Sequence, residues 1–264
     1  MLEIESTSLN DVSQQCEIGL HGESKSIKHL RDMVKRVAMT DVNVLLTGEQ
    51  GVGKELIAKT IHNLSKRRND DITVINCSSL TDDDQRIHFL NPLYKGNLND
   101  TITNGTVLLN GIEELSKPLQ LKLLNYLQQP ENEKLNDQGV FDVRVITSSS
   151  IDLEQAVKNN AFNKELYYRL NVFHVVVPTL RERGADIILL AEYYLQQFSK
   201  EYNTLAMHYS EEAKQLLLRY NWPGNVRELI NQVKRVSLLN DSNEVNLEHF
   251  DLPKKQILNK VYAL

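Results

Sequence analysis

Cysteine is nearly absent: the 264-residue chain carries two, Cys16 and Cys77. They lie far apart and lack the paired spacing of a zinc site. Neither a disulfide framework nor a metal site is therefore expected, and a reducing cytoplasm is the expected setting. Also missing is any apolar run near the ~20 residues that cross a bilayer, and the first residues show no hydrophobic segment of a secretion signal. No membrane partner is expected. Positive charge is not in excess. Thirty Lys and Arg against 35 Asp and Glu leave a net charge of −5, without the basic footprint of a chain that holds DNA by itself. What is present is 41% apolar and 25% charged residues, enough for a sizeable core in one large domain or a large and a small one.

The most informative stretch is Val42 to Ile57. Val42 to Leu46 reads as a buried strand that breaks into a glycine-rich turn from Gly48 to Gly53. Lys54 then opens an amphipathic helix through Ile57, Ala58 and Ile61. The spacing is G-x-x-x-x-G-K, the phosphate-cradling P-loop. Its backbone N–H groups and the positive helix end face the phosphates, and the lysine reaches their outer oxygens. An ordinary strand, turn and helix is the alternative. The candidate binding residues are Gly48, Glu49, Gln50, Gly51, Val52, Gly53, Lys54 and Glu55. Glu55 stands where most P-loops place a Ser or Thr for Mg²⁺.

Around this stretch, residues 1–15 are polar and read as a linker. A helix is predicted from Ser24, with Ile27, Leu30, Val34 and Val37 on one face. Lys66-Arg-Arg-Asn-Asp70 is a charged turn before a second strand, Ile72 to Asn76; its basic triplet is read as a solvated loop, with a phosphate site as the alternative. Residues 78–104 read as loop. Thr106 to Leu109 is a third strand, and Ser116-Lys-Pro118 starts a helix through Leu119, Leu123, Leu124 and Leu127. Val143 to Ile146 is a fourth strand, a short helix covers Lys164 to Leu170, and Val172 to Val177 is a fifth strand. Strands alternating with helices predict a parallel α/β sheet covered on both faces. After Pro178 three helices follow with no strands between them: Ile187 to Phe198, Glu211 to Tyr220 and Val226 to Leu239. The expected organisation is a linker (1–15), an α/β nucleotide-binding part (16–180), a helical lid (181–252) and a tail (253–264).

Several motifs together resemble the AAA+ ATPase domain of bacterial enhancer-binding proteins, the activators of σ54 RNA polymerase. They are Gly48-Glu-Gln-Gly-Val-Gly-Lys-Glu55, Asp142-Val-Arg-Val-Ile146, Leu166-Tyr-Tyr-Arg-Leu-Asn-Val172, Leu180-Arg-Glu-Arg183 and Trp222-Pro-Gly-Asn-Val-Arg-Glu-Leu229. The resemblance implies a P-loop core with a five-stranded parallel sheet and a helical lid, and it makes Glu55 ordinary. It also implies a phosphate role for the lid residue Arg227 and for the polar sensor after the fourth strand, here Ser149-Ser150. A surface pairing of Arg227 with Glu228 or Asn231 is the alternative.

The chain departs from that family where the chemistry sits. The family's third strand ends in Asp-Glu, the Asp for Mg²⁺ and the Glu for the attacking water; here those positions are Asn110 and Gly111. Losing a general base costs about 10²–10⁴-fold in rate. Glu113 and Glu114 follow closely; a solvated surface pair is the expectation for them, and substitution for the lost acid and base is the alternative. The family's arginine fingers sit in Phe-Arg-x-Asp-Leu-x-x-Arg. In Phe162-Asn-Lys-Glu-Leu-Tyr-Tyr-Arg169 the second is kept as Arg169, while the first is Asn163 with Lys164 out of register. A finger is worth about 10³–10⁵ in turnover. The σ54-contacting hexapeptide Gly-Ala-Phe-Thr-Gly-Ala is missing from the Leu90 to Gly105 region.

Leu108-Leu-Asn-Gly111, Phe162 to Tyr167 and Phe198 to Asn203 look most like the biofilm polysaccharide regulators of vibrios and their relatives. That resemblance implies cyclic di-GMP as a ligand beside ATP. It also implies DNA contact through a helix-turn-helix domain that this chain lacks, and RNA polymerase contact through other domains. A related flagellar regulator holds cyclic di-GMP with an Arg-Asn pair; the matching positions are Lys59 and Thr60, and a solvated lysine is the expectation for Lys59. The expected function is a nucleotide-binding regulatory domain that self-associates, as a dimer or ring, with hydrolysis impaired or absent. The alternatives are a slow ATPase that drives transcription and an assembly module indifferent to nucleotide. The chain reads as the central part of a longer regulator.

Overall fold

The structure is a computed structural model and describes residues 19–81, 104–128, 135–136, 139–140 and 142–252. The linker, the tail, Cys16 and nearly all of the Leu90 to Gly105 region lie outside the described residues. Contacts gather the chain into two compact units. One comprises Asp32–Gly48 with Lys54–Val177; the other comprises residues up to Arg31, Glu49–Gly53 and Pro178 onward.

The first unit holds the sheet. Its strands are β1 (Val44–Thr47), β2 (Ile72–Asn76), β3 (Asn104–Asn110), β6 (Asp142–Ser149) and β7 (Phe173–Val176), all parallel in the order β2-β3-β6-β1-β7. A two-stranded antiparallel pair, β4 (Leu135–Asn136) and β5 (Gly139–Val140), stands apart from it. The central strands are apolar without alternation, as they must be when helices cover both faces. Val44, Leu45 and Leu46, and likewise Val107, Leu108 and Leu109, are at most 1% exposed.

The helices between strands are α2 (Lys54–Asn63), α3 (Lys117–Gln128), α4 (Leu153–Lys158) and α5 (Lys164–Leu170). Leu119 and Leu123 of α3 and Leu166 and Leu170 of α5 join Leu45, Ile75, Leu109 and Val145 in one core. Each such side chain contributes about 1.5–3 kcal/mol by leaving water.

Three sequence expectations change. Val42 is exposed and β1 begins at Val44, while β6 runs past Ile146 through Thr147, Ser148 and Ser149. The Lys66–Arg68 triplet is not a solvated loop throughout: Arg67 is largely covered and its Nε donates to Asp41 at 2.8 Å.

Helix α1 (Lys25–Ala38) precedes the sheet, and the Ser24 hydroxyl accepts from Ile27 N at its start. In the second unit, α6 (Asp186–Tyr202), α7 (Glu211–Arg219) and α8 (Asn225–Leu239) form the helical bundle predicted after Pro178. A strand does occur between the first two of them. β8 (His208–Tyr209) pairs in parallel with β9 (Glu244–Val245), a two-residue ladder too short to show periodicity. Trp222, fully buried, donates its Nε1–H to Leu217 O at 2.8 Å and meets Tyr220 edge-on at 5.0 Å. Among the described residues no helix is long and apolar enough to cross a membrane.

Candidate functional site

Within the first unit, register gathers several candidate residues at one sheet edge. In the parallel sheet Thr47 lies opposite Ser149, Leu46 opposite Ser148, Asn110 opposite Ser148, and Asn76 opposite Asn110. The strands therefore end together on one edge, the carboxyl edge where α/β sheets bind ligands. Lys54, 8% exposed at the start of α2, donates from Nζ to Gly48 O at 2.6 Å and to Ser150 Oγ at 3.1 Å. Of the two sensor serines it is thus Ser150 that meets the lysine. The Ser149 hydroxyl is engaged with Ile151, donating to its carbonyl at 3.1 Å and accepting from its N–H at 3.2 Å.

Asn110 and Gly111 are committed locally. Asn110 Oδ1 accepts from Ser148 Oγ at 2.6 Å. Gly111 donates its N–H to Ser148 O at 3.0 Å and adopts φ +74, a left-handed conformation that resists any side chain. Glu113 corrects the expectation of a solvated pair. It is half-buried, its Oε1 accepts from Ser150 N at 2.8 Å, and its Oε2 is buried with no hydrogen-bond partner among the described residues. Glu114 is exposed, as expected.

Within the second unit, Glu49–Gly53 is joined to the helical bundle. Arg181 grips both carboxylate oxygens of Glu49, one of them at 2.9 Å. Asn225 Nδ2 donates to Glu49 Oε2 at 3.0 Å and to Gln50 O at 2.9 Å, while its Oδ1 accepts from Leu180 N at 2.9 Å. Arg183 donates to Val52 O at 3.0 Å and to Pro178 O at 2.9 Å, and its burial holds the guanidinium down to about 10. Arg227 N donates to Gly51 O at 3.2 Å. A Cβ on Gly51 would lie 2.2 Å from Gly224 O, so only glycine permits this approach. The Arg181 hydrogen bonds, then that of Asn225, hold the Glu49 carboxyl down at about 2.

Sequence reasoning missed Arg181, Arg183 and Asn225 as P-loop partners. All three lie inside quoted motifs, yet spacing does not say what a side chain reaches. Arg227 is exposed, and Glu228 does not pair with it: Glu228 accepts from Tyr220 Oη at 3.0 Å and from Gly224 N at 2.8 Å.

With this geometry in hand, the comparisons decide the family. The sigma-54 interaction domain family matches residues 21–180, and the AAA+ ATPase lid domain family matches residues 181–259. The chain belongs to the sigma-54 interaction domain family. It is 38% identical over 240 residues to the phenol regulator MopR of Acinetobacter guillouiae, covering 86% of this chain and 43% of that protein. It is 36% identical over 252 residues to the alginate biosynthesis transcriptional regulatory protein AlgB of Pseudomonas syringae pv. tomato, covering 91% of this chain and 56% of that protein. Among solved structures, NtrX from Brucella abortus in complex with ATP superimposes with a TM-score of 0.76 at 29% identity, covering 95% of this chain and 60% of that one. The chain spans about half the length of the curated relatives it matches.

In this sigma-54 interaction domain the remaining predicted residues fall as follows. Asn163 is a helix cap: its Oδ1 accepts from Leu166 N at 2.9 Å at the start of α5, and its N–H donates to Gln120 Oε1 at 2.8 Å. Arg169 at the other end of α5 is exposed, with no partner for its guanidinium among the described residues. Glu55 pairs with Lys59 at 2.7 Å on the outside of α2. Thr60 donates to Leu56 O at 2.8 Å. A phosphate group fits the P-loop: the Lys54 ammonium donates to Gly48 O and Ser150 Oγ, neutral oxygens that a phosphate oxygen would replace, and a Cβ on Gly53 would meet open space. No group of three or more His, Cys, Asp or Glu among the described residues is placed to hold a metal ion.

Proposed function

We propose that this chain is the regulatory AAA+ module of a transcription regulator, binding ATP at the P-loop and hydrolysing it poorly or not at all. Gly51, Gly53 and Lys54 bind the phosphates, Arg227 approaches them from the lid, and Arg169 serves a nucleotide held by a second copy. The observation that carries the reading is the state of the β3 end beside an intact P-loop. Asn110 is tied to Ser148 and Gly111 is left-handed, while Lys54 stands ready on the same sheet edge. Neither residue brings a charge or a base, and phosphoryl transfer depends on both positioning and charge.

Occupancy rather than turnover is then the signal. ATP binding shifts the population toward a self-associated form, dimer or ring, that attached domains read out. The sequence lacks the σ54-contacting hexapeptide, which supports an output like that of the vibrio polysaccharide regulators, with DNA and polymerase held by other domains in the cytoplasm. Cyclic di-GMP is the second ligand to test. The positions matching a known cyclic di-GMP pair, Lys59 and Thr60, are engaged with Glu55 and Leu56, which favours ATP as the primary ligand.

The test is calorimetric titration with ATP and, separately, cyclic di-GMP, with mass followed by light scattering and phosphate release measured in parallel. Micromolar ATP binding with a rise in mass and no phosphate release is expected, the binding and the mass rise both being lost in Lys54→Ala. Phosphate release that Lys54→Ala abolishes would establish a slow ATPase instead. No response to either ligand would leave an assembly module indifferent to nucleotide.

A further inference from the structure

The helical bundle of the second unit carries a groove that the nucleotide reading does not use. Its walls are the first turns of α7 and a short 3-10 helix, Leu247–His249, and its volume is about 580 Å³. The floor is apolar, from Leu216, Leu247, Phe250 and Leu252. Phe250 and Leu252 pack against the bundle core, and the Phe250 ring meets Tyr209 at 6.0 Å. Leu247 is left 49% exposed. Glu212 and Glu248 line the same groove; both are exposed, and neither has a hydrogen bond or ion pair among the described residues. An apolar groove with unpaired carboxylates at its edge suits an apolar segment that carries positive charge.

The sequence supplies such a segment directly after the groove wall. Residues 253–264 read Pro-Lys-Lys-Gln-Ile-Leu-Asn-Lys-Val-Tyr-Ala-Leu, with three lysines and no acidic residue. Ile257, Leu258, Val261 and Tyr262 recur at the i, i+1, i+4, i+5 spacing of one helix face. At about 100° per residue, Lys255 and Lys260 fall on either side of that apolar stripe. Pro253, a residue suited to a first helical turn, follows Leu252 of the groove. From Leu252 to Ile257 the chain can span at most about 18 Å, so the apolar face stays within reach of the groove at small entropic cost. The match to the AAA+ lid family also runs on to residue 259, past the groove wall.

We propose that the chain's own residues 254–262 occupy this groove as an amphipathic helix, with the apolar face on Leu216, Leu247 and Phe250 and the lysines toward Glu212 and Glu248. Apolar surface on both partners leaves water, and each unpaired carboxylate gains a cation. Seated there, the segment ties whatever follows it to the helical bundle. The inference does not depend on nucleotide binding. Leu247→Asp suits the test because the leucine is half exposed outside the bundle core, so the change strikes the groove rather than the fold. Glu212→Lys with Glu248→Lys removes the charge match, and adding Lys255→Glu with Lys260→Glu restores it in reverse.

Amide hydrogen exchange of the 264-residue chain, read by mass spectrometry, is the assay, with a synthetic peptide of residues 253–264 as the unprotected reference. In the wild type, the amides of residues 256–262 are expected to exchange at least about tenfold more slowly than in the peptide, equally at high and low protein concentration. In Leu247→Asp and in the double lysine variant the protection is expected to vanish, and in the fourfold charge swap to return. Unchanged exchange in α6 and α8 checks that the variants fold. A wild-type segment that exchanges like the peptide overturns the proposal, as does protection that survives Leu247→Asp or a charge swap that restores nothing. Protection that fades on dilution, in step with a fall in mass by light scattering, also overturns it, because the groove is then filled by a second copy.

Discussion

Replacing Asn225 with alanine tests whether the lid residues organise the P-loop. Asn225 is fully buried, has φ +53, and serves three partners with one amide. Alanine leaves the buried Leu180 N–H without an acceptor, at a cost of about 1–3 kcal/mol, and withdraws the donors from Gln50 O and Glu49. It must also hold a left-handed conformation that asparagine tolerates better, for about 1 kcal/mol more. Together these place the loss at about 2–4 kcal/mol. The assay is urea unfolding followed through Trp222, the single tryptophan, which is buried in the same helical bundle core. ATP affinity, measured alongside, should fall by about tenfold as Glu49 and Gln50 lose their anchor. Asn225→Asp sharpens the test, since it keeps the acceptor for Leu180 but turns a carboxylate toward Glu49. It should be destabilised at neutral pH and recover as acid neutralises the pair. A loss below about 1 kcal/mol for Asn225→Ala, with ATP affinity unchanged, would refute the reasoning.

The Glu49–Arg181 pair should give a pH signature. The Glu49 carboxyl is held at about 2 against an ordinary 4.5, so its stabilising effect is present above 4.5 and is lost as pH falls toward 2. Both side chains are about 40% exposed, so solvent screening limits the effect to about 0.5–1 kcal/mol. Thermal melts of wild type and Glu49→Gln should differ at neutral pH and converge in acid; a gap independent of pH would rule the pair out. Gly111→Glu, which restores a base in name, should not restore hydrolysis. The left-handed backbone at φ +74 opposes the new side chain, at about 1–2 kcal/mol, and Asn110 beside it remains an uncharged amide. A phosphate-release assay showing a rise of about tenfold or more would contradict this.

Much of the fold was legible because it rests on local patterns. Apolar runs such as Val107 to Leu109, helix starts such as Ser116-Lys-Pro118, and the P-loop glycines each announce themselves within a few residues. Short elements did not. The β8–β9 ladder spans two residues per strand, and α4 lasts too few residues to show a helical period. The short helix α5 was read with its observed bounds, but Asn163 before it was noticed only as a missing arginine, although its capping role is equally a local property of asparagine.

By itself the sequence determined the architecture, a parallel α/β sheet followed by a helical bundle, and the presence of a phosphate-binding loop. These follow from periodicity and from residues adjacent in the chain. Only the tertiary structure decided that Ser150 rather than Ser149 meets Lys54, and that Glu113 is shielded beside it. It likewise decided that Arg181, Arg183 and Asn225 hold Glu49–Gly53. Each of these is a contact between residues distant in sequence, set by strand register or helix packing. No local pattern encodes which side chain arrives at such a meeting, because that depends on where the rest of the chain has already gone.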